Sequence, residues 1–355
     1  MLKRIWKRLM SKIKTVDFLL ELGCEEIPAR FLKGLSESIK QGLLDAFDDH
    51  HIGYGSAQDK SDPISVFYTY RRLAFRIPCL HAMQADQMVQ YQGPPVSASK
   101  DNSGDWNSSA LGFAKKCGVS PDQLQTITDK KGRDCLYYEF TKVGQETIAC
   151  LPAIIKAVIQ GIHLPIAMRW GCEKQPFIRT LQWLCCLCNE DVVPVQLWDV
   201  QAGNRTRGHR FLTFDGEAHD DSKNKGIDGV WITVQSPVDY EQVLSDHFVC
   251  VDSQKRRQVI CDAIKDHYPD SDLKLTLLID EVNGLVECPT PVILTFDEEY
   301  LKLPGVVLEQ VMMKHQKYFP IWKEGVLTND CIVIADNVTA SNKNTIIEGN
   351  RRVIH

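Results

Sequence analysis

Cations stand beside aromatic rings at two places in this chain, at spacings suited to holding a phosphate next to a base. The first is EQVMMKHQKYFPIW, Glu309 to Trp322, where Lys314, His315 and Lys317 directly precede Tyr318 and Phe319. A cation cluster against stacking rings can bind phosphate and base together. Leu308, Val311, Met312 and His315 fall at helical spacing, so the pattern equally fits a helix leaving the core and entering a strand, with solvated lysines. The second is RTRGHRF, where Arg205, Arg207 and Arg210 surround Gly208 and His209 after a turn at Gly203 and Asn204. Three arginines in six residues, followed by Phe211, make a phosphate-contact patch, or else a strand whose arginines pair with the chain's acids. Arg71 and Arg72 form a further cationic pair inside an apolar run. Adjacent strand residues point to opposite faces, so one is expected on a buried carboxylate and the other on solvent or a phosphate.

No catalytic constellation can be assembled around these cations. The sequence has no Walker-type or GxGxxG phosphate loop, no GxSxG elbow and no HExxH. His209 has no sequence-adjacent Ser or Cys to activate, and Asp297, Glu298 and Glu299 read as a solvated turn. No metal site is expected. The thirteen cysteines include one cluster, Cys185, Cys186 and Cys188, without the second spaced pair that a structural zinc needs. They read as reduced core thiols of a cytoplasmic protein.

The elements that must position the cations are mixed. An apolar strand at Asp17 to Gly23 precedes a helix opened by Glu25, Glu26, Ile27 and Pro28, with Phe31, Leu35, Ile39, Leu43 and Phe47 on one face. Strands are expected at Ile64 to Leu80 and Cys135 to Val143. Helices are expected around Leu111 to Cys117 and from Leu151 to Ile162. Beyond the HLP boundary at His163 to Pro165, strands are expected at 193–200, 230–234, 273–279, 292–296 and 331–335. A helix runs from about Ser253 to Asp266, and 215–228 is a polar loop. Without regular βαβ alternation the class is α+β, with mostly antiparallel sheets. The division reads as a basic extension at 1–14, a first domain at 15–165, a strand-rich second domain at 166–345 and the start of a linker at 346–355.

An apolar fraction of 44% and a charged fraction of 25% are those of a globular chain, and no apolar run is long enough to span a bilayer. The net charge of −5 argues against a general polyanion coat but leaves room for a local RNA patch. Met1 to Lys14 carries six Lys or Arg and no acid, while Asp280 to Glu299 carries six acids and no Lys or Arg. The basic start lacks a signal-peptide h-region, so it reads as an untargeted extension, with translation from Met10 or adhesion to a surface as alternatives.

Nine ordered segments carry a family resemblance. They are LLELGCEEIPARF (Leu19 to Phe31), RRLA (Arg71 to Ala74), GPPV (Gly93 to Val96), GFAKKCGV (Gly112 to Val119) and MRWG (Met168 to Gly171). FIRTLQW (Phe177 to Trp183), RTRGHRF, FDEEYLKLP (Phe296 to Pro304) and MKHQKYFP (Met313 to Pro320) complete them. In these the chain resembles the beta subunit of the bacterial heterotetrameric glycyl-tRNA synthetase. That resemblance implies an N-terminal region similar to the editing region of the phenylalanyl synthetase beta subunit. It also implies an alpha2-beta2 assembly in which the alpha subunit uses glycine and ATP with Mg, while this chain binds no cofactor itself. The implied partners are the alpha subunit and tRNA(Gly), with no membrane. Arg71, Arg72, Arg205, Arg207, Arg210, Lys314, His315 and Lys317 are the expected RNA contacts.

Two local departures stand out: Tyr70 where the family's usual motif has proline before the arginines, and Thr180 where proline usually follows Arg179. The family continues past GNRR, Gly349 to Arg352, into helical and anticodon-binding domains. The resemblance therefore implies a counterpart of the N-terminal half. Three functions are weighed: a beta-subunit portion that contacts RNA and the alpha subunit, an inactive remnant of a split gene or a stand-alone binding module, and an editing-type hydrolase.

Overall fold

The computed structural model describes residues 14–55, 62–101, 104–170, 175–213, 229–267 and 273–354. The basic extension, apart from Lys14, and the polar loop at 215–228 lie outside the described residues.

Strand β1 (Thr15–Cys24) carries two acids, Asp17 near its start and Glu21 within its apolar run. Alternation sends Phe18, Leu20 and Leu22 to one face and Leu19 and Glu21 to the other. Both faces are covered, so all five are buried. β1 pairs antiparallel with β3 (Arg72–His81) on one side and β7 (Leu181–Cys188) on the other. β2 (Ser65–Thr69) and β8 (Asp191–Val192) complete a five-stranded sheet in the order β2-β3-β1-β7-β8.

Helix α1 (Ala29–Asp49) starts after Pro28, whose ring presets the backbone at φ −58°. Leu32, Leu35, Ile39, Leu43 and Phe47 are buried from it, each contributing about 1.5–3 kcal/mol. Helix α3 (Thr147–Gly161) adds Leu151, Ile154, Ile155 and Ile159 to the same face. Opposite, Tyr240 and Leu244 of α4 (Tyr240–Ser245) join Val249 and Val251 over Leu19, Cys185 and Leu187. Cys185 therefore faces one layer while Cys186 and Cys188 face the other. Burial pushes the Cys188 thiol up to about 12, as core packing requires of an inert thiol.

A three-stranded antiparallel sheet, β13-β15-β14, is formed by β13 (Thr290–Thr295), β14 (Phe319–Lys323) and β15 (Val326–Ala335). One face packs on α5 (Ser253–Ile264) and α6 (Leu273–Asn283), through Ile260, Ile264, Leu278 and Val282. The other packs on Leu308 of α7 (Gly305–Gln310), Met312 and Tyr318. Two short ribbons, β9 (Gln196–Leu197) with β10 (Val200–Gln201) and β11 (Arg205–Arg207) with β12 (Trp231–Thr233), lie beyond β7 in sequence. Helix α8 spans Lys343–Ile354.

Residues 83–147 form a separate compact unit. Strands β4 (Gln87–Pro95), β5 (Gln125–Thr128) and β6 (Asp134–Lys142) make its sheet. Helix α2 (Ser108–Cys117) packs on that sheet through Phe113. Asn107 caps α2 by accepting from Ser109 N and Ala110 N, and Gly118 ends it at φ 72°.

The division differs from the one read along the chain. Residues 1–82 and 148–355 make one unit because β1 pairs directly with β7, across a boundary at 165. Residues 346–354 lie in α8 instead of opening as a linker. The run 64–80 is a hairpin, β2 and β3, and not one strand. Residues 273–279 are helical: Leu275, Leu278, Ile279 and Val282 recur at helical spacing and are buried, while Leu277 faces out. Only 196–197 of the strand expected at 193–200 pairs as one, apart from the end residue Val200 in β10. Glu25 and Glu26 precede α1 instead of occupying its first turn.

Candidate functional site

The hairpin between β2 and β3 decides the fate of the first cationic pair. Tyr70 and Arg71 form its turn and Arg72 opens β3, so the two arginines do not alternate within one strand. Both are buried, and both guanidinium carbons lie 5.5 Å from the Trp183 ring. Arg72 Nε donates to Glu287 Oε1 at 3.1 Å. Its Nη1 donates to Arg207 O at 2.9 Å and Thr206 Oγ1 at 3.3 Å, and reaches Glu21 Oε1 at 3.4 Å. Thr206 Oγ1 also donates to Glu21 Oε1 at 2.7 Å, and Thr69 Oγ1 to Glu287 Oε1 at 2.6 Å.

One guanidinium thus serves two fully buried carboxylates. Burial pushes the Glu21 carboxyl up, against the pull of Arg72 and Thr206. Burial also opposes the Arg72 charge, but Glu287 and Glu21 outweigh it and raise Arg72 further. The prediction of a buried carboxylate holds for Arg72. Arg71, only 2% exposed, does not reach solvent, and neither arginine is placed to meet an RNA phosphate.

A second buried hub adjoins the first. Asp336 Oδ1 accepts from Glu287 N at 2.6 Å and Cys288 N at 2.7 Å. Its Oδ2 accepts from Tyr70 Oη at 2.9 Å and faces His209 Nε2 at 3.2 Å. His209 Nδ1 accepts from Phe211 N and Leu212 N, each at 3.2 Å, so the proton of a neutral ring sits on Nε2. Burial disfavours the Asp336 charge, yet His209 and the two backbone N–H groups hold its carboxyl below the ordinary range. With Nδ1 held by two backbone N–H groups, Nε2 facing Asp336 and the ring fully buried, His209 is a strut and not a base presented to a substrate. Tyr70, at the position of the family's usual proline, is one of the struts.

The RTRGHRF segment divides. Arg210 donates to Glu26 Oε1 at 2.7 Å, with Glu25 Oε2 at 3.6 Å. It follows the alternative of arginines pairing with acids. Arg205 and Arg207 project from β11 toward Trp231, their guanidinium carbons 5.1 Å and 4.0 Å from its ring. Arg207 Nη1 also donates to Gly229 O at 3.1 Å. Arg205 is exposed and Trp231 is 41% exposed.

The Glu309 to Trp322 stretch follows the helix-into-strand alternative. Tyr318 and Phe319 are buried at 4% and 0%, so neither offers a stacking face to a base. Residues 311–316 wind as a π-helix, which widens the spacing and leaves Val311 and His315 exposed while Leu308 and Met312 are buried. Lys317, at φ 60°, donates to Lys314 O at 2.7 Å and pairs with Glu281 at 2.9 Å. Lys314 and His315 are exposed.

Three buried charged residues, Glu21, Arg256 and Glu287, and the half-buried Asp336 escaped the sequence reading. Arg256 is fully buried on α5 and donates to four carbonyls, of Cys250 (2.6 Å), Val251 (3.0 Å), Asn283 (3.3 Å) and Tyr68 (2.7 Å). Its signal was there, since Ser253, Arg256, Ile260 and Ile264 share one buried helical face. Glu21 signalled itself as an acid inside the apolar run Phe18 to Leu22 of β1. Glu287 and Asp336 lie just outside regular elements, where no periodicity marks them.

The fold and these sites define an α+β protein with internal arginines locked on carboxylates and open arginines beside an exposed indole. Among the described residues no His, Cys, Asp or Glu group fits a metal ion, and no helix is long and apolar enough to cross a membrane. The family model described as "Glycyl-tRNA synthetase beta subunit" matches residues 18–355. The chain belongs to that family. The glycine–tRNA ligase beta subunit of Coxiella burnetii (strain RSA 493 / Nine Mile phase I) is 35% identical over 96% of this chain and 47% of its own length. That of Listeria monocytogenes serotype 4b (strain CLIP80459) is 31% identical over 95% of this chain and 46% of its own. The chain spans about half the length of the curated relatives it matches.

Proposed function

We propose that this chain contributes to ATP-dependent ligation of glycine to tRNA in the cytoplasm, as the RNA-contacting and scaffolding part of a beta subunit. The single observation that carries this is the family match across 18–355. Glycine and ATP with Mg are handled by the alpha subunit in this reading, and the partners are that subunit and tRNA(Gly). Arg205 and Arg207, with Lys314 and His315, are the cations left to meet RNA. Arg71 and Arg72 are buried, and Arg210 and Lys317 are paired with Glu26 and Glu281, so in this reading these four serve the fold. The continuous match favours this reading over that of an inactive remnant.

The test is co-purification with the alpha subunit, followed by tRNA(Gly) titration of the complex. Association with the alpha subunit and salt-sensitive tRNA binding are expected. Absence of both from well-folded protein rejects the proposal.

A further inference from the structure

We infer that the Arg205–Trp231 corner is a subsite for one unpaired nucleotide of an RNA strand. The inference rests on the proposed RNA-contacting role and assigns it a place and a ligand. Trp231 is the sole tryptophan among the described residues more than 40% exposed, at 41%. An exposed indole offers a flat face on which a base can stack. It stands on β12 directly opposite Arg207 of β11, and Arg207 covers part of its ring at 4.0 Å.

A cavity of about 260 Å³ opens beside it, walled by Gln182, Gln201, Asn204, Arg205 and Trp231 among others. Arg205 and Trp231 both line it, and Arg207 does not. The cavity is held by rigid elements. Gly203 bridges Cys185 of β7, with Gly203 N donating to Leu184 O and Cys186 N to Gly203 O, both at 3.0 Å. That register sets Asn204 and Arg205 beside Gln182 to Leu184.

Among the described residues Arg205 has no carboxylate within ion-pair distance, and the side chains of Gln182 and Asn204 make no hydrogen bond. Gln201 Nε2 donates to Val195 O at 3.2 Å, leaving its carbonyl oxygen to accept. An aromatic face, a guanidinium and two or three carboxamides are the parts that recognise a nucleotide. The ring stacks the base, the guanidinium meets the phosphate, and amides read the base edge. Duplex RNA buries its base faces and cannot use the ring, so the ligand is an unpaired nucleotide.

The experiment uses the full chain, a fluorescein-labelled unstructured RNA of about twelve nucleotides and the same strand in a duplex. Trp231→Ala is expected to weaken single-strand binding about tenfold or more while leaving duplex binding unchanged. Trp231→Phe, which keeps a stacking face and guards against misfolding, retains most of it. Arg205→Ala lowers the slope of log affinity against log salt by about one, and Lys265→Ala, away from the corner, changes neither. Ultraviolet crosslinking places the strand on the peptide containing Trp231. A wild-type chain that binds RNA but crosslinks elsewhere, with Trp231→Ala unchanged, overturns the subsite and leaves the RNA-contacting role standing. Failure of the wild-type chain to bind either RNA, while still holding the alpha subunit, overturns both.

Discussion

Arg71–Arg72 and Arg205–Arg207 are both arginine clusters that meet a tryptophan ring in space, yet they do opposite things. At the hairpin the guanidinium of Arg72 sits in a dry layer between Glu21 and Glu287, with Trp183 filling the remaining space. On the β11–β12 ribbon the guanidinium groups lean on an indole that solvent still reaches. A buried cation without its carboxylates is strongly unfavourable, so the first cluster is fixed by the fold. In the second, Arg205 is exposed and has no carboxylate within ion-pair distance among the described residues, so it is available to a ligand. Residue type is the same in both; coverage by neighbouring layers separates them.

Removing Arg72 should break this contrast hardest. Arg72→Met leaves Glu21 and Glu287 buried without their shared cation, and is expected to cost about 3–5 kcal/mol by urea unfolding. Near-wild-type stability would mean that the hairpin arginine is not locked. Gly23→Ala comes next, because an added Cβ at Gly23 would land in the Trp183 ring that both arginines cover. About 1–3 kcal/mol of destabilisation is expected from overpacking.

The Asp336 hub gives a pH signature. Its carboxyl is held below the ordinary value near 3.8, so the folded state favours the charged form. The stabilisation is fully present above about pH 4 and is lost as pH falls through the lower folded value. Asp336→Asn should remove this part of the acid dependence, and an unaltered acid profile in that variant would count against the hub. Tyr70→Phe deletes one hydrogen bond to the same carboxylate and should cost about 1 kcal/mol. Smallest of all, Arg205→Ala should leave the unfolding free energy within about 0.5 kcal/mol of wild type. A loss comparable to that of Arg72→Met would erase the distinction between the two clusters.

Local patterns carried much of the fold. The apolar run of β1, the helical stripe of α1 and the strand of β13 each lie within one element, where residue type and period report burial directly. The reading faltered where partners are distant in sequence. Leu273–Asn283 begins with an alternating pattern that masks its helical spacing of Leu275, Leu278, Ile279 and Val282, which pack with Phe319, Ile321, Ile332 and Ile334 of β14 and β15. The division at 165 fell because β1 and β7, more than 150 residues apart, share one ladder. The candidate site split the same way: RTRGHRF was legible as a cationic patch, but Trp231, from β12, could be joined to it only by strand pairing.

By itself the sequence determined the class of fold, the family and which segments carry cations, because those are properties of residue type, period and order. Whether a given cation is a strut or a contact was decided by tertiary structure. Burial and charge pairing are sums over neighbours from many segments. Arg72 draws its partners from residues 21, 206, 207 and 287, a set no spacing rule along the chain could have assembled.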